Sequence, residues 1–247
     1  MRRLLERRQP GGIDLQPVKC RAIDAAFERV GAHSFADLGG VWGVGAGYTF
    51  YAVGRAGVER GVLVDTGITD TVRRRASSEP RLTLLDADLG HPATPHRVGE
   101  VDVVLLFDVL LHQVDPGWDE IVRRYASRCG AMAIVQPQYV AGSETVRLLD
   151  LSRPRYEALV PDSPVHAEAW DRLDEIHPRY GRPWRDIHEI WQWGIVDADL
   201  DEVCRQQGFE LVHYENAGPW MGLEAFENHA FVYVRGARRV WFRGPGR

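Results

Sequence analysis

Cysteine is scarce in this chain: there are three in 247 residues, Cys20, Cys129 and Cys204, widely separated and never at a CxxC spacing. That leaves no disulfide framework, and the thiols read as small buried hydrophobes of a reducing compartment. Lysine is scarcer still, with Lys19 alone, so chemistry that needs a lysine has one position to draw on. Long apolar runs are missing as well. Nothing approaches the length of a membrane span, and the opening MRRLLERRQPGG is basic without the apolar core of a secretory signal. The expectation is a cytoplasmic protein with no membrane partner, its Arg-rich start a short capping helix broken at Pro10-Gly11-Gly12. No internal repeat or low-complexity tract is visible.

What is present is ordinary globular material. Hydrophobic residues make up 45% and charged residues 26%, which suits one large α/β domain or a domain with an insertion. A net charge of -5 argues against a nucleic-acid partner, and the terminal Arg235-Gly236-Ala237-Arg238-Arg239 run reads as a solvated end.

Strand-like and helix-like segments alternate. Val18 to Val30 carries Ile23, Ala26, Phe27 and Val30 at helical spacing, and Ser34 to Leu38 is a first strand. After a glycine-rich turn, Tyr48 to Ala56 forms a crossover helix, Gly61 to Asp65 a second strand and Arg81 to Leu85 a third. Val101 to Phe107 is a nearly unbroken apolar run, as in a parallel strand covered on both faces. Asp115-Pro116 supplies an N-cap and first-turn proline for a helix carrying Ile121, Val122, Tyr125 and Cys129, which Gly130 stops before strand five at Ala131 to Val135. The alternation lapses for some fifty residues. Asp199 to Gln207 then restores a helix ended by Gly208, and Phe209 to Tyr214 and Ala230 to Val234 form two last strands across a long connection. Right-handed crossovers turn this order into a doubly wound, mostly parallel sheet that takes ligands at the carboxyl ends of its strands.

The chemistry starts at Asp37-Leu38-Gly39-Gly40-Val41-Trp42-Gly43-Val44-Gly45, an acid followed by closely spaced glycines. Glycine lets backbone pass against a cofactor and leaves amides free near a helix start, although a tight turn without a ligand has the same signature. Asp65, ending strand two, stands where a carboxylate accepts both hydroxyls of a cofactor ribose, whether of NAD or of S-adenosylmethionine. The dinucleotide pattern is not met in full, since Tyr48 occupies the position that wants glycine or alanine.

With these residues the chain resembles a class I, Rossmann-like S-adenosylmethionine-dependent methyltransferase. Asp37, Gly39, Gly40, Gly43 and Gly45 are similar to the family's first motif. Asp65 matches its ribose acid, and Leu85-Asp86-Ala87 the strand-three ending that reaches the adenine, with Asp88 a rival for that role. Val101 to Val104, running on to Phe107-Asp108-Val109-Leu110-Leu111-His112, resembles the fourth strand and its loop. The resemblance covers residues 18 to 138 closely and the last forty in pattern. It implies a seven-stranded sheet with an antiparallel strand seven, S-adenosylmethionine as cofactor, and methyl transfer to an oxygen or nitrogen of a small molecule, a sugar or secondary-metabolite intermediate among the candidates.

On that reading residues 1–33 are N-terminal cap helices, 34–142 the cofactor-binding core, 143–195 a substrate lid and 196–247 the end of the core sheet, all one domain. Phe107 borders the cofactor, and Asp108 touches the cofactor or the acceptor amine, or only caps its loop through backbone amides. His112 is a candidate base, although matching histidines of the family more often serve the structure of the loop. The lid holds His166, His177 and His188 and Trp170, Trp184, Trp191 and Trp193. Trp184 and Trp191 could cover the acceptor, Arg179, Arg182 or Arg185 meet an anionic group, and His188 or Glu189 take the proton. A homodimer interface or a small satellite core predicts the same composition. His177, Asp186, His188 and Glu189 match no standard metal spacing, so no metal is expected. Two other readings stay open: an NAD-dependent oxidoreductase, for which a Tyr-Lys pair would have to use Lys19, and a methyltransferase-like scaffold without turnover.

Overall fold

The computed structural model describes residues 14–236. The capping helix expected before Pro10, and Ala237, Arg238 and Arg239 of the terminal basic run, lie outside the described residues. Helix α1 (Pro17–Val30) starts on a proline whose missing N–H costs nothing at that position. It buries Val18, Ala22, Ile23, Ala26 and Phe27 on one face, the i, i+4 spacing of an amphipathic helix. The first half of the sheet then follows as β1 (Ser34–Leu38), α2 (Gly47–Val53), β2 (Arg60–Asp65), α3 (Asp70–Ala76), β3 (Leu82–Asp86), α4 (Thr94–Val98) and β4 (Val101–Phe107).

β4 lies between β1 and β5 (Cys129–Tyr139), and both pairings are parallel, so its apolar run is buried on both faces. Helix α5 (Trp118–Ala126) connects β4 to β5. After residues 140–196 come α8 (Asp197–Gln206), β8 (Phe209–Trp220) and β9 (Leu223–Arg235). The sheet order is β3-β2-β1-β4-β5-β9-β8, with β9 antiparallel to both neighbours. This is the doubly wound sheet the sequence implied, its antiparallel strand included. Helix α1 and the side chains of α2 share a core with one sheet face, and α5 and α8 pack on the other.

Most element boundaries shift by a few residues from the sequence expectation, and three of the differences have a clear local cause. Asp115 has φ +52°, not the extended geometry of an N-cap, and α5 starts after Gly117 instead. Gly130 does not stop α5, which ends at Ala126, but sits inside β5, where the strand already pairs through Cys129 with Val101. The last two strands are long and joined directly, because Met221 (φ +49°) and Gly222 (φ +77°) form a tight turn. Register shifts between Asn216 and Trp220 let β8 pass Gly218 and Pro219 without losing its partner.

Residues 140–196 form a cap rather than more sheet. They contain α6 (Arg153–Leu159), α7 (Pro164–Asp171) and a two-stranded ribbon of β6 (Val146–Arg147) with β7 (Trp193–Gly194). The cap is stitched to the carboxyl end of the sheet by Tyr139 N–H to the Ile195 carbonyl (2.7 Å) and Gln192 N–H to the Leu111 carbonyl (3.1 Å). It has its own core of Leu148, Tyr156, Trp184, Ile187, Ile190 and Trp191, closed against Tyr139 and Phe226 of the sheet. Among the described residues no helix is long and apolar enough to cross a membrane.

Candidate active site

The carboxyl ends of β1 and β4, where the chain winds to opposite sides, form the switch point at which such sheets take ligands. The turn leaving β1 is laid directly on Asp37. Gly39 has φ +77° and donates its N–H to the Val64 carbonyl at 2.7 Å. A Cβ on Gly40 would stand 2.3 Å from Asp37 Oδ2, so no side chain fits there. Asp37 is 1% exposed. Its Oδ2 accepts the Thr49 hydroxyl at 2.5 Å, while its buried Oδ1 has no partner. Burial pushes the carboxyl up to about 6, against the Thr49 hydrogen bond, with the Asp65 charge adding to the rise and Lys19 opposing it. Asp65 braces the turn from β2: its Oδ2 accepts Val41 N–H at 2.9 Å and its Oδ1 accepts Gly67 N–H at 2.7 Å.

The sequence reading missed the partner that crosses this site. Lys19 comes from α1, is 3% exposed, and donates from Nζ to Asp108 Oδ2 at 2.5 Å. The ammonium lies 5.2 Å from the Tyr48 ring centroid and 5.8 Å from that of Phe107, in cation–π range. A lone lysine on a helix reads as solvated. The available signal was its place three and four residues before Ala22 and Ile23, on the face that α1 buries. Asp108 itself sits at φ +54°, an uncommon conformation for a non-glycine residue. Its buried Oδ1 has no partner, and burial raises its carboxyl, partly offset by Lys19. Phe107 packs edge-on against Tyr48 at 5.3 Å, and the Tyr48 hydroxyl accepts Gln16 N–H at 2.9 Å.

Around the other expected cofactor positions the arrangement is looser. Gly43 (φ +72°) has open space where a side chain would be. Asp86 pairs with Arg73 of α3 at 2.6 Å, Ala87 N–H reaches the Asp65 carbonyl at 3.2 Å, and Asp88 Oδ1 accepts Gly90 N–H at 2.7 Å.

The histidines of the site meet where the cap joins the sheet. His112 Nδ1 lies 2.9 Å from the Ile190 carbonyl, so Nδ1 carries the proton and Nε2 keeps a lone pair. Burial lowers its pKa to about 4 against that hydrogen bond, with His188 and His166 adding to the drop. His188 Nδ1 is 3.3 Å from the His112 carbonyl oxygen. Glu189 is elsewhere, accepting the Tyr180 hydroxyl and lying 3.6 Å from Arg179. Trp184 and Trp191 differ from the acceptor-facing position expected of them. Trp184 is 4% exposed against the His177 ring at 4.2 Å, and Trp191 is 7% exposed, edge-on to Phe226 at 5.0 Å. Both are spent on the satellite core, the alternative that the composition allowed. Arg185 pairs with Asp174 at 3.0 Å, and Arg182 lines a hollow with Asp115, Tyr180 and Asp186. Among the described residues no group of three or more His, Cys, Asp or Glu is placed to hold a metal.

No family model matches the chain, and no curated protein matches it. Solved structures do. The N-terminal domain of EvdMO1, in the presence of SAH and D-fucose, superposes with a TM-score of 0.54 at 17% identity, covering 91% of this chain and 85% of that one. An O-methyltransferase family protein from Burkholderia thailandensis gives 0.54 at 16% identity, with 90% of this chain matching 56% of the other. The 1,6-didemethyltoxoflavin-N1-methyltransferase of the same organism, with its namesake compound and S-adenosylhomocysteine bound, gives 0.52 at 13% identity over 88% and 78%. Sheet order, switch point and these likenesses agree, and the chain has the fold of the class I S-adenosylmethionine-dependent methyltransferases.

Proposed function

We propose that this protein is an S-adenosylmethionine-dependent methyltransferase acting on an oxygen or nitrogen of a small-molecule acceptor. The observation that carries the reading is the pair of buried, unpartnered carboxylate oxygens, Asp37 Oδ1 and Asp108 Oδ1, beside a turn with no room for a side chain at Gly40. Two carboxylates share one lysine there, which suits a ligand with a net positive charge. It suits the pyrophosphate of a dinucleotide poorly, because anionic oxygens would face those carboxylates. SAH in the neighbouring structures points the same way.

When bound, S-adenosylmethionine supplies a methyl on a sulfonium sulfur that leaves with the bonding pair, so no acid is required of the chain. Asp37 takes the cofactor ammonium, and Asp65, already oriented by the amides of Val41 and Gly67, takes the ribose hydroxyls. Asp86 and Ala87, with Asp88 as the alternative, border the adenine, and Gly39 and Gly43 give the backbone its close approach. Phe107 and the Lys19–Asp108 pair wall the site toward the acceptor. His112, held neutral with Nε2 unprotonated, takes the acceptor proton as the new bond to carbon forms. His188 steadies that loop, and of Arg182 and Arg185 the former is the one to meet an acceptor, Arg185 being paired with Asp174 and Glu189 engaged by Tyr180. Positioning and exclusion of water by the cap supply the acceleration.

Calorimetry with S-adenosylmethionine, S-adenosylhomocysteine and NAD tests this. Micromolar binding of both sulfur compounds, weakened about 30-fold or more by Asp65→Ala, is expected. Binding of NAD alone would turn the reading to an oxidoreductase, and cofactor binding without mass gain across a broad metabolite pool would turn it to a scaffold.

A further inference from the structure

The switch point is acidic, but the unpaired polarity next to it is of another kind. Gln136 and Gln138, at the carboxyl end of β5, are both 0% exposed, and none of their four side-chain amide atoms has a partner. Asn228 Oδ1, in the paired stretch of β9, and Gln192 Oε1, on the cap residue whose N–H bonds Leu111, are buried and unpartnered too. A buried primary amide without partners destabilises the chain that carries it, so a native fold keeps a group of them where something else supplies the partners. The strand itself shows the change of purpose. Met132 and Ile134 send their side chains into the apolar core under α5 and α8. The same row continues as Gln136 and Gln138, past the point where Val135 pairs with Phe107. Val135 also receives the Asp108 amide at 2.9 Å, so Gln136 lies one residue from the strand partner of the cofactor end.

Resting on the methyltransferase reading, we propose that Gln136 and Gln138 seat the acceptor, and that the acceptor is an uncharged polyhydroxylated molecule whose simplest form is a sugar ring. Each amide offers donors and an acceptor together, which matches a hydroxyl that both gives and takes a hydrogen bond. Charge of either sign is discouraged, because Asp197 and Glu227, the carboxylates beside the seat, are both engaged by His229. Across the register, His229 faces Gln136 and Glu227 faces Gln138. His229 is bound on one side by Asp197 at 2.9 Å and on the other by Glu227 at 3.3 Å, so it is not free for an anion. Lys19 is bound to Asp108.

The test has two arms. In the first, Gln136→Leu/Gln138→Leu is melted without ligand. Removing amides that await a partner is expected to raise Tm by about 2 °C or more and leave S-adenosylmethionine affinity unchanged. A fall of several degrees, in the double variant and in Gln138→Leu alone, would mean the amides serve the fold, and would overturn the proposal. In the second arm, D-galactose, D-galacturonate and D-galactosamine at millimolar concentration are assayed for cofactor-dependent mass gain and, by calorimetry, for binding. Gain on the neutral sugar, with KM raised about tenfold by each Leu substitution at near-constant kcat, is the expected result. Gain on a charged sugar alone, on none, or on galactose regardless of the substitutions would refute it. Should the cofactor itself fail to bind, the methyltransferase reading falls, while the melting and galactose-binding results still judge the glutamine seat.

Discussion

The end of the sheet and the cap above it are built on opposite rules. At the ends of β1 and β4 the protein buries charge and leaves part of it unmatched: Asp37, Asp108 and Lys19 lie together, with two carboxylate oxygens unpartnered. In the cap it buries aromatic surface and leaves the charges outside, in exposed pairs such as Arg153 with Glu157 and Arg172 with Glu175. A region that stores unmatched charge is preorganised for a ligand at a cost in stability, whereas a region that closes on its own aromatics is stabilised by that burial. On the proposed function the cap is the roof of the site, and discrimination lies in the sheet below it.

Breaking the charged end produces the largest effect. Lys19→Met leaves Asp108 buried beside Asp37 with no counter-charge, and is expected to cost about 3 kcal/mol in urea unfolding. Lys19→Met/Asp108→Asn should recover most of that loss. A single-variant loss below about 1 kcal/mol would mean that this pair behaves like a surface ion pair and that the contrast with the cap is false. Nearly as large is Trp191→Ala, which opens the satellite core against Phe226 and should also cost about 3 kcal/mol, lowering Tm by about 6 to 12 °C with cofactor affinity unchanged. The opposite pattern, an unchanged Tm and a raised acceptor KM, would make the tryptophan an acceptor face and the cap a clamp.

The two regions also differed in how far the sequence exposed them. β1 and β4 have the boundaries expected, β4 because a parallel strand covered on both faces is a short, nearly unbroken apolar run. The glycine turn and Asp65 were legible because backbone approach and ribose recognition restrict residue type. Lys19 was not, since its role depends on α1 crossing β4, a contact 89 residues away in the chain. Gln136 and Gln138 were lost by ending β5 at Val135, where the apolar pattern stops, although Gln-Pro-Gln keeps the two-residue alternation. The long β8–β9 hairpin was hidden by Gly218 and Pro219, which read as loop and are absorbed as register shifts. In the cap, composition marked the aromatics, but only packing distinguishes an inward from an outward tryptophan.

A smaller effect separates the regions by pH. Asp37 stands at about 6 in the folded chain against an ordinary value of 3.8. The free protein thus holds a proton there below pH 6, and its stability from this group falls as pH rises from about 4 through 6. His112 has the opposite sign: at about 4, below its ordinary 6.5, it removes stability as pH falls from 6.5 toward 4. If Asp37 takes the cofactor ammonium, binding must displace its proton, so affinity should weaken about tenfold between pH 7 and pH 5 with proton release on binding at the lower pH. Calorimetry in buffers of different ionisation enthalpy reads both quantities. Asp37→Asn should weaken binding at pH 7 and flatten the profile, whereas His112→Gln should leave the profile intact. A pH-independent affinity in the unaltered protein would place the ammonium elsewhere than on Asp37.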